Sequence, residues 1–220
     1  LVELQRTNPK LVIELKCAME SADVLRMEAD IAVQFTRPTN PDLKVTKLGR
    51  LHVYPFASKE YIATYGMPRS REDILNHRLI DQYAPQLEEG VAARFLGIRN
   101  PEGIVGMRTN ASTAHYHAVE KGAGIGGLAT YAAVLSDDLV AIDVGFHHHV
   151  DIWMTYHPDV RQSTRVSIMI DWLKETFSPQ RFPWFRDEFI HPRELRKLPA
   201  DSWKINLVNT QPTIFDTDEP

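Results

Sequence analysis

The chain has 220 residues, 43% of them apolar and 25% charged, with a formal net charge of -4 at pH 7. That balance belongs to a folded domain rather than a disordered chain, and its acidity argues against these residues gripping a phosphate backbone. The length allows one domain or two small ones. Cys17 is the single cysteine, which excludes an intramolecular disulfide and suits a reducing compartment. No apolar run reaches the ~18–20 residues of a membrane helix. The opening LVELQRTNPK lacks the basic-then-apolar pattern of a signal peptide, and, with no initiator methionine, residue 1 need not be the natural start.

Taken in chain order, strands and helices alternate. Leu1, Val2 and Leu4 lead to a stop at Asn8-Pro9, a helix remnant. LVIELKC (11–17) alternates apolar and polar residues and predicts a strand ending in a buried Cys17. Ser21 caps a short helix, ADVLRMEA, with Asp23 in its first turn. DIAVQF (30–35) is nearly all apolar and predicts a buried parallel strand. LKVTKLG and RLHVYPFAS are extended stretches. A helix begins at Ser58 and closes at Gly66 and Pro68; another begins at Ser70, with Asp73 three positions on.

RLID predicts a short strand, and APQLEEGVAARFLG reads as helical or irregular. GIVGMRTN (103–110) predicts a strand and 112–121 a helix ended by Gly122 and Gly124. IGGLA and LVAID are further strands, and HVDIWMTYH (149–157) is a long alternating one. In RVSIMIDWLKETF (165–177), Val166, Met169, Ile170, Leu173 and Phe177 share one helix face. Residues 178–220 are proline-rich, yet Trp184, Phe185, Phe189 and Trp203 are too apolar for a solvated tail. This segment is expected to lie on the body in irregular form, with DTDEP loose.

Alternating strands and helices predict an α/β fold with a mostly parallel sheet. The extended stretches 48–57 and 150–157 suit two strands joining two lobes, one lobe from the middle of the chain and the other from both ends.

The segments MESADVLRMEADIAVQFTRPTNPDL, LGRLHVYPFASKEYIATYGMP, REDILNHRLI, AVEKGAGIGGLA and DIWMTYHPDVRQSTRVSIMIDWLKETF, in this order and spacing, resemble the effector-binding domain of LysR-type transcriptional regulators. The likeness runs from Leu1 to about Phe177. It implies a fold like the type 2 periplasmic binding proteins, with two lobes, a two-strand hinge and a small effector in the cleft. One lobe is then 1–50 with 156–178 and the other 51–155, while 179–220 form an irregular C-terminal extension outside the resemblance. The family's helix-turn-helix and the first strand of its effector domain have no counterpart in this sequence. By the same likeness, two such domains pair side by side in a homodimer or tetramer. DNA is contacted only through the absent N-terminal domain, and the protein is cytoplasmic, with no membrane partner.

Ligands of open α/β sheets bind at strand carboxyl ends and helix N-termini. This marks Ser21 and, after 103–110, Asn110 and Ser112; capping alone is the competing explanation for both serines. The resemblance adds the end of 30–35, where Gln34 and Phe35 line the cleft or belong to the core. Gly122, Gly124 and Gly127 match G-x-G-x-x-G but close a helix and enter a strand, the reverse of a dinucleotide fingerprint. They fit helix termination and close backbone approach, leaving Gly126 and Thr130 as cleft candidates.

His147, His148 and His149, with His115 and His117, invite a metal reading; adjacent histidines on a strand point apart, so a polar turn is preferred and no metal or cofactor is expected. No G-x-S-x-G, HExxH or Walker loop occurs, which argues against an enzyme. Helix N-termini favour an anionic effector such as a carboxylate, which Arg37 or Arg108 could pair with. The alternative is a stand-alone solute-binding protein of the same fold serving transport.

Overall fold

The computed structural model describes residues 1–18, 24–26, 28–86, 90–99 and 103–199. Among them the strands are β1 (Ala32–Gln34), β2 (Lys44–Ser58), β3 (Leu79–Gln82), β4 (Val105–Thr109), β5 (Ile125–Ala129), β6 (Leu139–Ala141) and β7 (His148–Tyr156). The α-helices are α1 (Val2–Thr7), α2 (Lys59–Tyr65), α3 (Val91–Leu96), α4 (Ser112–Glu120), α5 (Ala132–Leu135), α6 (Thr164–Thr176) and α7 (Pro192–Leu195). The sheet runs β1-β7-β2-β5-β3-β4, with β6 also on β2. β3 pairs parallel with β4 and β5, as strands joined through helices do.

The long strand β2 organises the molecule. The two extended stretches around Gly49 are one continuous strand. Its first part pairs antiparallel with β7 from Lys44↔Tyr156 to Val53↔His148, with a register shift between Lys47 and Gly49. Its last part pairs with β5 and β6. β2 and β7 are therefore the two strands that cross between the two ends of the sheet.

At one end, Leu48, Ile152, Met154, Tyr156 and Ile170 form a core beneath α6. Val166, Leu173 and Phe177 pack against it, so the helix buries the stripe that its sequence spacing predicts. At the other end, side chains alternate across the sheet. Phe56 and Ile80 enter a core with Val119 and Leu128, while Ala57 and Leu79 enter a second core with Tyr61, Ile74 and Ile125.

Local signals act as the sequence suggests. The Ser58 hydroxyl accepts the Tyr61 N–H at 3.0 Å and caps α2. Gly66, at φ +85°, ends it. Ser70 and Asp73 bond each other's backbone N–H, at 3.1 Å each way, around the 3₁₀ turn Asp73–Asn76.

Other expectations fail. Residues 11–17 form no strand, Val12 is 89% and Leu15 69% exposed, and Cys17 is exposed rather than buried. An alternating segment becomes a strand only beside a partner, and the strand bonded to β1 is β7. The 30–35 stretch is not a buried parallel strand: β1 is antiparallel to β7 and alternates, with Val33 43% exposed. Of the predicted Ser21-capped helix, the described residues show a 3₁₀ turn at Val24–Arg26 and no helix at 28–29; Ser21 itself lies outside the described residues. The undecided 84–97 stretch contains α3. Residues 178–199 lie on the body through a 3₁₀ turn at Pro183–Phe185 and through α7, with Trp184 and Leu195 buried. Trp203 and DTDEP lie outside the described residues. No helix of the described residues is long and apolar enough to cross a membrane.

Candidate functional site

Where β2 and β7 cross between the two ends of the sheet, a cavity of about 970 Å³ opens. Phe35, just past β1, forms one wall, and Leu51, Val53, His148 and Val150 of the crossing strands form its floor. The carboxyl end of β3 contributes Asp81 and Gln82; β5 contributes Gly126 and Gly127; α4 contributes Ser112, His115 and Tyr116. This is a mostly apolar concavity with a few polar groups at strand and helix ends, the usual construction of a small-molecule site.

Several of these polar groups are held by partners within the protein. Arg108 Nε donates to Asp81 Oδ2 at 3.0 Å across the parallel β3–β4 pair, where the two residues are in register. Gln82 Nε2 donates to Ser112 Oγ at 2.8 Å. His115 is 3% exposed and its Nε2 lies 3.0 Å from the Ile80 carbonyl. A carbonyl only accepts, so Nε2 carries the proton and Nδ1 is the bare nitrogen. Burial pushes the His115 pKa down, against that bond and the Asp81 charge. Burial also pushes Tyr116 and Tyr131 up, so the cavity wall presents neutral phenols. The Phe35 N–H donates to Gln86 Oε1 at 2.9 Å, tying the end of β1 to the segment after β3.

The predicted residues divide. Ser112 and Gly126 line the cavity. Ser112 is not a cap: Ala111 holds the extended N-cap geometry, and the serine hydroxyl turns to Gln82. The space beside Gly126 is taken by protein, since a Cβ there would lie 2.4 Å from Val119 Cγ2 and 2.9 Å from His115 Nε2. Gln34 is buried and donates to the Thr36 carbonyl at 2.6 Å, away from the cavity wall; the neighbouring Phe35 lines it instead. Asn110 is exposed beside the cavity rather than on its wall. Thr130, 1% exposed, sits in the turn into α5, where its N–H donates to the His52 carbonyl. Arg37 lies over the Trp153 ring at 5.2 Å.

Asp81, Gln82 and His115 were missed as cavity residues. The strand-end rule identifies the first two once RLID is placed in the sheet interior. His115 and His117 diverge on α4: the first is buried, while the second is exposed beside Glu120. His147 Nε2 meets His52 Nδ1 at 2.9 Å, a partner the sequence pattern did not suggest. Among the described residues, no three His, Cys, Asp or Glu side chains form a metal-holding group.

The family model described as LysR substrate binding domain matches residues 1–178. The chain belongs to that family. Solved structures agree on the fold. The regulatory domain of CrgA from Neisseria meningitidis matches with a TM-score of 0.54 at 15% identity, over 70% of this chain and 78% of that one. The effector domain of AmpR from Pseudomonas aeruginosa matches at 0.61 and 16%, over 80% and 86%. Full-length AphB from Vibrio cholerae matches at 0.58 and 19%, over 79% and 61%. The shared fold is that of the type 2 periplasmic binding proteins.

One curated relative, an HTH-type transcriptional regulator of Xanthomonas campestris pv. campestris (strain 8004), is 30% identical over 80 residues. That match spans 36% of this chain and 23% of the relative. The chain thus spans less than a quarter of that relative's length, and the family model ends at residue 178.

Proposed function

We propose that this LysR substrate-binding domain senses a small molecule, of which carboxylates are the favoured class, in the cavity at the crossing of β2 and β7. The ligand changes the relation between a lobe of residues 1–50 with 156–178 and a lobe of residues 51–155. A homodimer or tetramer passes that change to helix-turn-helix domains of the kind named in the Xanthomonas relative, and so to transcription. The protein works in the cytoplasm and binds rather than converts its ligand. A ligand regulates only through unequal affinity for two arrangements, so it must touch both sides of whatever moves.

The observation that carries this reading is the cavity wall. Phe35 comes from one end of the sheet, Asp81, Gln82 and Ser112 from the other, and Leu51, Val53 and Val150 from the strands between. Thermal denaturation against a panel of aromatic carboxylates, aliphatic carboxylates and amino acids tests it. A ligand at 100 times its Kd adds about 2.7 kcal/mol. A hit whose shift is lost in Gln82→Ala and Ser112→Ala supports the site. A hit unaffected by both variants places the ligand elsewhere and overturns it.

A further inference from the structure

Residues 179–199, which follow the family model, run beside β2 and reach the packing at both ends of the sheet. At one foot Trp184 is buried, and Phe185 packs on the core beneath α6, its ring 4.9 Å from Phe177. At the other foot Leu195 of α7 is fully buried, and Arg196 donates to the carbonyls of Ala133, Ser136 and Leu139. Between the feet the Arg186 carbonyl lies 2.9 Å from His52 Nε2 on β2. Asp187 pairs with Lys47 at 2.6 Å and Arg50 at 3.5 Å, cations that Asp151 of β7 also holds. Phe189 stacks on Tyr54, and Asp143 takes His191 at 2.9 Å and Arg193 at 2.7 Å.

The strand beneath is fitted to this segment. At the register shift of β2, a Cβ on Gly49 would lie 3.0 Å from both the Cβ and the carbonyl oxygen of Phe185. Glycine there lets the two backbones touch.

We infer that residues 179–199 are a clasp that holds the two lobes in one relative orientation, with buried feet on each lobe and a releasable middle over β2 and β7. The inference rests on the two-lobe reading proposed above. The division of labour follows from burial. The feet bury Trp184 and Leu195, whereas Asp187 and Arg193 are 64% and 63% exposed. Exposed ion pairs are individually weak, so the middle, held besides by the His52–Arg186 contact and the Phe189–Tyr54 stack, lets go before the feet do. Lobe rotation about the crossing strands then has to stretch a tether of fixed length, since an extended chain reaches at most ~3.6 Å per residue.

Pulsed electron spin resonance on the full chain tests this without any ligand. Spin labels go on Arg165→Cys of α6 and Lys121→Cys after α4, both exposed, in a Cys17→Ser background. The native clasp should give one narrow distance distribution. Leu195→Ala with Arg196→Ala frees one foot, which new tryptic cleavage within 186–197 reports. The distribution should then broaden and shift to longer distance. A freed foot with an unchanged distribution overturns the clasp. Should that double variant lose its circular dichroism, a protease site inserted between exposed Asp187 and Glu188 cuts the folded protein, and the same two outcomes decide. Failure here leaves the cavity's ligand shift untouched, so the two readings fall separately.

Discussion

Asp81 and Arg108 face each other across the parallel β3–β4 pair at the cavity wall, carboxylate oxygen to guanidinium Nε at 3.0 Å. Their side chains are 33% and 51% exposed, so the pair contributes only about 0–1 kcal/mol to stability. Its larger consequence is for a ligand, because Asp81 occupies the positive charge that an incoming carboxylate would use.

Removing one partner therefore separates binding from folding. Asp81→Asn frees Arg108 and should tighten binding of carboxylate probes, while Arg108→Gln should weaken it. Both variants should keep the unfolding free energy within about 1 kcal/mol of the parent. Calorimetric titration with the carboxylates that shift melting, beside urea denaturation, reads both quantities. Equal affinities in the two variants would remove Arg108 from the site.

The cores at the two ends of the sheet should bear stability unequally with the site. Phe56 is wholly buried among Ile80, Val119 and Leu139, and Ile170 is wholly buried beneath α6. Phe56→Ala should cost about 3–5 kcal/mol and Ile170→Ala about 2–5 kcal/mol, from lost transfer energy plus the cavity left behind. Neither side chain lines the cavity at the crossing of β2 and β7, so affinity for a molecule bound there should hold in the folded fraction. Losses below 1 kcal/mol in urea melts would mean that these clusters relax freely.

Two neighbouring glycines on β5 should respond differently to the same methyl group. On Gly126 it would meet Val119 Cγ2 at 2.4 Å and His115 Nε2 at 2.9 Å, both on buried residues of α4. On Gly127 the nearest atom is Val53 Cγ1 at 3.1 Å. Gly126→Ala should cost about 1–3 kcal/mol by forcing α4 off the sheet, and Gly127→Ala less. Denaturant melts give the order, and the reverse order would show that α4 is not seated on β5 as described.

Patterns that depend on a residue and its near neighbours are legible in this sequence. The α6 stripe, the Ser58 cap and the Ser70–Asp73 pair need only local geometry. The crossing strands are legible because alternation over nine or more residues has few other outcomes. What fails depends on distant partners. LVIELKC has the pattern of a strand but pairs with no strand among the described residues, and Cys17 is exposed with it. Ser112 sits one residue inside its helix, because Gln82, thirty positions earlier, takes its hydroxyl. Thr130 is a cleft candidate by its place at a strand end, and the fold puts its side chain in the interior, 1% exposed. His52 gave no signal at all, since its partners are His147 and the Arg186 carbonyl.

Histidine burial makes the last prediction, a pH dependence. Burial pushes His115, His52, His147 and His77 below their ordinary value of 6.5. Between each folded value and about 6.5 the unfolded chain binds more protons than the folded one, so stability rises with pH across that window. Above it the histidine contribution is fully present; it is lost as pH falls through the window. For His52 and His147 there is an added reason: with their ring nitrogens 2.9 Å apart, protonating both sets one N–H against another. Asp151 behaves separately. Burial opposes its charge, but hydrogen bonds from Arg50 and Lys47 prevail and hold it below 3.8, so its share is lost only in stronger acid. Urea midpoints from pH 8 to pH 5 should fall below about 6.5 in the parent. His115→Gln keeps a donor for the Ile80 carbonyl but cannot titrate, and its midpoint should fall less steeply over the same range. Parallel slopes in parent and variant would show that His115 takes up its proton without leaving the fold.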